Sequence, residues 1–159
     1  MSGMGPVPAS VPSRAVGPQQ EAFIALAQTA SALGDELERL LRPYGLGRTQ
    51  YNVLRILRGA GADGLCRNEI RDRLLSRMPD VTRLLDRMAE AGLLERERRA
   101  DDRRQVGTRL TRKGRELVDR LDAVVEAEHQ RLLGHLGPEQ LRTLTRLLVL
   151  ARAQTTPEG

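Results

Sequence analysis

The 159-residue chain is long enough for about one domain, and 40% apolar residues with 15 glycines is ordinary for a globular protein, which excludes disorder of the whole chain. Phe23, Tyr44 and Tyr51 are the only aromatics, so the core has to be Leu, Val, Ile and Ala, which suits helix packing better than a β-sandwich. No apolar run nears the roughly 18 residues of a membrane span, no basic-then-apolar leader opens the chain, and a lone cysteine (Cys66) with two histidines supports neither an intrachain disulfide nor structural zinc. A cytoplasmic protein is expected. The formal charge of +5 is unevenly spread. Residues 67–115 carry fifteen basic and nine acidic side chains, the remainder eleven and twelve. A confined basic stripe is the electrostatic footprint of nucleic-acid binding, although such runs are also often plain solvated surface. All but one of the 26 basic residues are arginine, which fits a GC-rich genome but does not explain the clustering.

In chain order, residues 1–19 hold four prolines among Gly, Ser and Ala and predict a flexible tail. Residues 20–42 predict a long helix, with Phe23, Leu26, Ala27, Ala30, Leu33, Leu37, Leu40 and Leu41 at helical spacing, ended by Pro43 and Gly45. A second helix runs from Arg48 to Arg58 with Val53, Leu54, Ile56 and Leu57 inside, capped by Thr49 or Arg48. The Gly- and Ala-rich run 59–64 is a loop, and Cys66 to Leu75 a short helix. Pro79, suited to a first helical position, opens the next helix, whose Val81, Leu84, Leu85 and Met88 follow the i, i+3, i+4, i+7 pattern up to Gly92. Strands 93–98 and 105–110 flank the charged tip Arg99–Arg104. Thr111 caps a long helix carrying Leu117, Leu121, Val124, Val125 and Leu132. Gly134 and Gly137 break it, and Pro138 starts a last helix with Leu141, Leu144, Leu147, Leu148 and Ala151 on one face.

The short helix, the turn Ser76–Pro79 and the helix from Pro79 have helix-turn-helix proportions. Pro79, Thr82, Arg83, Asp86 and Arg87 face away from that helix's apolar side, the division a helix needs to enter a major groove. Taken alone it is also an ordinary amphipathic surface helix; the basic hairpin directly after it favours DNA. The tip, with Arg98, Arg99, Arg103 and Arg104, is too charged to pack inside, and a thin basic finger can enter a minor groove. An aspartate beside such arginines can hold a guanidinium in one orientation.

Three segments resemble the MarR family of winged helix-turn-helix regulators. Leu46-Gly47-Arg48-Thr49-Gln50-Tyr51-Asn52-Val53-Leu54 looks like the entry to the family's second helix. Thr82-Arg83-Leu84-Leu85-Asp86-Arg87-Met88, followed by Gly92-Leu93-Leu94, looks like its recognition helix, and Asp102 to Thr111, followed by Gly114, looks like its wing. The likeness covers about residues 20–155. It implies a mainly α fold with a small β-hairpin wing, and a homodimer whose N- and C-terminal helices interlock. Residues 20–45 and 111–155 would form the dimerisation region and 46–110 the DNA-binding lobe. It also implies binding to a pseudo-palindromic operator on double-stranded DNA, as a repressor released by a small-molecule effector. Carried over by residue, Arg104 is the minor-groove arginine with Asp102 as its orienting partner, while Thr82 and Arg83 touch DNA from the recognition helix. Pro79, Arg87, Arg99 and Arg103 complete the expected DNA surface. Pro79 stands where the family commonly has a small hydroxyl residue, and Gly107 predicts an irregular second wing strand. The effector cleft of such dimers lies where the dimer helices meet the DNA-binding lobe, and Phe23, Tyr44 and Tyr51 are the aromatics available to line it, or else core.

Two other readings stand beside this one. Cys66, at a helix start that can lower a thiol pKa, permits a thiol-based redox sensor, against the plain reading of a small residue at a cap. A helical protein-interaction module without DNA binding is the reading from another class. His129 and His135 are six apart, not at the i, i+4 spacing of paired metal ligands, so solvated or interfacial histidines are expected and no metal. Without a Gly-rich phosphate loop, a cysteine–histidine pair or paired carboxylates, neither catalysis nor a cofactor is expected.

Overall fold

The computed structural model describes residues 17–98 and 106–155. It divides into two units, Met1–Leu33 and Gly34–Gly159. Helix α1 (Pro18–Leu41) runs from the first into the second. In the first unit its Phe23, Ile24 and Leu26 are exposed. The helix thus begins inside the segment expected to be tail; residues 1–16 lie outside the described set.

In the second unit, Leu41 is fully buried and Leu37 and Leu40 pack on the core. A 3-10 turn (Arg42–Tyr44) ends on Gly45, whose φ of 70° only glycine adopts without strain. Helix α2 (Arg48–Ala60) follows, with Val53, Leu54 and Leu57 inside and Ile56 half-buried. Its N-cap is Gly47, not Thr49 or Arg48. The Gln50 side-chain oxygen accepts the Gly47 N–H at 2.7 Å, and Glu38 Oε2 accepts the Arg48 N–H at 3.1 Å, so two side-chain acceptors satisfy amides at the helix start without a hydroxyl cap.

Strand β1 (Leu65–Cys66) was not evident in the sequence; the segment reads there as loop and helix start. It pairs antiparallel with β3 (Val106–Leu110), which also pairs with β2 (Leu94–Arg98), giving the order β1-β3-β2. Gly64 makes this approach possible: a Cβ there would crowd the Thr108 carbonyl oxygen, and its φ of 65° lies in glycine's region. Gly107 does not disturb its strand, because it pairs in register with Cys66 on one side and Glu97 on the other.

Helix α3 (Arg67–Arg73) is shorter than the expected 66–75. Leu74 turns extended (ψ 139°), and the Leu75 N–H is taken by Asn52 Oδ1 at 2.9 Å, so the chain leaves the helix with its donor satisfied. Helix α4 (Val81–Glu90) starts two residues after Pro79. Its N-cap is Asp80, whose carboxylate accepts the Arg83 N–H at 2.9 Å; a carboxylate facing the exposed amides of a first turn outcompetes proline's fixed φ in setting the boundary. Val81, Leu84, Leu85 and Met88 are buried as the periodicity predicts. Helix α5 (Arg112–Leu133) buries Leu117, Val118, Leu121 and Val125, and Thr111 caps it by accepting the Gly114 N–H at 3.0 Å. Helix α6 (Pro138–Ala153) buries no residue at all. Among the described residues no helix is long and apolar enough to cross a membrane.

Candidate nucleic-acid interface

Helix α4 presents Thr82, Arg83, Asp86 and Arg87 opposite its buried side. Arg83 and Arg87 are exposed and make no ion pair with any described residue. Free guanidiniums on an exposed helix face are what phosphate or base edges require. Thr82 is half-buried and its hydroxyl accepts a bond from Arg67 Nη1 at 3.3 Å, which ties α3 to the start of α4. Pro79 is exposed in the turn before the cap. Asp86 is not free: Arg96 on β2 donates to its carboxylate.

The wing sheet has two dissimilar faces. On one, Arg109 is forked between Glu95 (2.6 Å) and Glu97 (3.1 Å), so its charge is already met, and the Glu95 bond above all raises its pKa. The other face turns Leu94, Thr108 and Leu110 inward. Arg99, Asp102, Arg103 and Arg104 lie outside the described residues.

The C-terminus of α4 is joined to the start of α5 by four contacts. The Thr111 hydroxyl donates to the Gly92 carbonyl at 2.6 Å, and the Thr111 N–H donates to Leu93 at 3.1 Å. Lys113 Nζ donates to the Ala91 carbonyl at 2.7 Å, and the buried Gly114 lies so close that a Cβ would overlap the Leu93 carbonyl oxygen. The sequence signals Thr111 as a cap and nothing more; that its hydroxyl and its neighbours also bind the previous helix end needs the fold.

A second connection links α2 to α5. Arg58 donates to Asp119 at 3.2 Å and to Asp122, which also accepts the Tyr51 hydroxyl at 3.4 Å. Burial, more than the Asp122 charge, pushes the Tyr51 phenol up, and the Asp122 bond raises Arg58. Beside Tyr51 opens a cleft of about 220 Å3 bounded by Leu37, Arg48, Asn52, Arg55 and His129. Tyr51, 5% exposed, is the one residue of the expected aromatic trio that both lines this cleft and belongs to the core. Tyr44 is half-exposed on the 3-10 turn and does not line it, and Phe23 is 72% exposed on α1. Arg48, Asn52 and Arg55 were missed as wall residues, although their spacing of four and three puts them on one helix face. On α5, Arg131 bridges Glu36 (2.7 Å) and Glu128 (2.6 Å), which lowers the Glu128 carboxyl. Cys66 is half-buried at the N-cap of α3, its N–H accepted by Glu69 at 2.7 Å. No group of three or more His, Cys, Asp or Glu among the described residues is placed to hold a metal ion.

A model described as the MarR family matches residues 44–105, which span α2, α3, α4 and β2. The HTH-type transcriptional repressor IacR of Pseudomonas putida is 28% identical over 126 residues, covering 79% of this chain and 74% of that protein. The crystal structure of a MarR transcription factor from Planctomyces limnophilus is 37% identical, covers 86% of this chain and 99% of its own, and superposes with a TM-score of 0.66. The S. aureus MepR–DNA complex shares the fold at 22% identity, with coverages of 83% and 96% and a TM-score of 0.75. With this sheet, this helix order and these likenesses, the chain is a DNA-binding transcription regulator and belongs to the MarR family.

Proposed function

We propose that the protein works in the cytoplasm as a homodimeric repressor, bound to a pseudo-palindromic operator and released from it by a small-molecule effector. Residues 46–110 serve as the DNA-binding lobe, and residues 20–45 and 111–155 as the dimerisation region in which α1 and α6 of two copies interlock. The observation that carries this reading is the division of α4: four buried apolar residues on one side, and on the other Arg83 and Arg87, without acidic partners among the described residues. Pro79, Thr82, Arg83 and Arg87 meet the major groove, and the wing tip, with Arg99, Arg103 and Arg104, meets the minor groove, Asp102 holding Arg104. The exposed leucines of α6 support the dimer, because monomers rarely leave so long an apolar stripe in water. The repressor name of the Pseudomonas putida relative supports the direction of regulation. The cleft beside Tyr51 supports the effector site, since its wall joins residues of the dimerisation region (Leu37, His129) to those of α2.

The test is selection of duplexes from a random-sequence library by the full chain, followed by footprinting and a salt titration. Two half-sites about one helical turn apart, and log affinity falling linearly with log salt, are expected. Enrichment of no duplex overturns the reading.

A further inference from the structure

We propose that Arg96 is a positioning residue for DNA recognition: through Asp86 it fixes the angle between the recognition helix and the wing. The inference rests on the reading of α4 and the wing as the two DNA-contacting elements.

Arg96 lies on β2 opposite Thr108 of β3, and Thr108 is fully buried. Side chains alternate along a strand, so Arg96 shares the inward face with Leu94 while Glu95 and Glu97 take the outer one. An arginine there is costly. Its side chain is only 23% exposed, and its Nε is buried with no hydrogen-bond partner among the described residues; the Thr108 hydroxyl is in the same condition. A buried donor left unpaired destabilises, and an apolar chain of similar length would fill the same inward position without that penalty. Stability therefore does not account for an arginine at this place.

Its one bond does. The guanidinium reaches off the sheet to the carboxylate of Asp86, on α4. Asp86 stands four residues after Thr82 and three after Arg83, in the middle of the DNA-facing stripe. A bare carboxylate there would repel phosphate. The pair thus does two things: it meets that negative charge, and it makes a second tie between α4 and β2.

The first tie is the turn between them, where the Gly92 N–H bonds to Ala89 (2.8 Å) and the Leu93 N–H to Met88 (3.0 Å), with Gly92 at φ 75°. The joint to α5 and the buried Leu93 and Leu94 fix the base of the strand; the Arg96–Asp86 pair attaches it to α4 two residues farther toward the wing, where the core no longer holds it. A minor groove is only about 6 Å wide, so a wing tilted by a few ångströms no longer enters it while α4 still sits in its own groove.

The experiment uses the full chain and the tightest duplex from the random-sequence selection, with hydroxyl-radical cleavage reporting the minor groove and dimethyl sulfate the major-groove guanines. Arg96→Met and Asp86→Ala are compared with the wild type at saturating protein, with circular dichroism confirming folded chains. Both variants are expected to keep the guanine protection and lose the protection under the wing, with operator affinity lower by about tenfold. The double variant should be no worse than the weaker single one, because the two act through one contact. Wing protection that survives in the folded variants overturns the inference. So does tighter binding by Asp86→Ala, the result expected if its charge alone mattered. Should Arg96→Met fail to fold, Asp86→Ala decides, because its side chain is half-exposed. A wild-type complex with no protection in any minor groove overturns the underlying site reading instead.

Discussion

At the residue scale, identical side chains have different work because their partners differ. Arg109 is held by two glutamates and Arg96 by one aspartate, whereas Arg83 and Arg87 have no acidic partner among the described residues. Composition counts all four as equal positive charges, which is why the basic stripe is legible in the sequence and the assignment of its members is not. Arg83→Ala is expected to weaken operator binding more than binding to unrelated DNA, since a good base contact discriminates by about 1–3 kcal/mol. Arg104→Ala should weaken both alike, because minor-groove attraction follows potential and width more than base identity. Fluorescence anisotropy on the two duplexes separates them, and equal ratios for the two variants would refute the division of labour. Tyr51 gives a second test. Burial raises its pKa above the usual 10, so the folded chain holds the phenolic proton more tightly than the unfolded one. Its contribution is then fully present below pH 10 and is lost as pH rises through the higher folded value. Tyr51→Phe should cost about 0.5–1.5 kcal/mol at pH 7 through the lost bond to Asp122. Urea unfolding at pH 7 and pH 11 should show the wild type losing part of that advantage and the variant lacking the phenol's share of the decline.

At the element scale, what is legible in the sequence is what depends on periodicity and on single-residue caps. The burial of Val81, Leu84, Leu85 and Met88, and the cap at Thr111, follow from spacing and hydroxyl chemistry alone. What escapes is decided by distant partners. The strand at Leu65–Cys66 exists because β3 offers a second edge, and α4 begins at Val81 because Asp80 beats Pro79 to the cap. The α4–α5 joint is of the same kind, built by residues some twenty positions apart. Gly114→Ala forces a Cβ onto the Leu93 carbonyl oxygen, a backbone atom with little room to yield. It should destabilise by about 1–3 kcal/mol, as other overpacked sites do. Lys113→Met removes one exposed hydrogen bond and should cost no more than about 1 kcal/mol. Thermal unfolding orders the two variants; a milder effect for Gly114→Ala would mean that the joint is slack.

At the scale of the whole molecule, α6 is a helix without an interior. Leu144, Leu147, Leu148, Val149 and Leu150 are all exposed, although the leucine spacing is that of a buried stripe. Periodicity shows that a face is apolar and cannot say whose surface covers it; in the proposed dimer a second copy would. Deleting residues 138–159 should therefore give a monomer or an aggregate by light scattering, and a well-folded dimer of the truncated chain would remove α6 from the interface. A gentler change is more telling. Leu147→Glu places a charge in the middle of the stripe, where an unpaired buried carboxylate is costly, yet in a lone chain the same site is 55% exposed and tolerates it. The variant should keep its helical circular dichroism and become monomeric. Each monomer then reads one half-site and loses the gain that comes from binding two through a single particle, a factor on the order of 100 or more. Operator affinity should fall by that factor, while affinity for a single half-site stays near the wild-type value. A monomer that retains full operator affinity would show that the copies bind DNA independently, and that dimerisation is not what makes the operator specific.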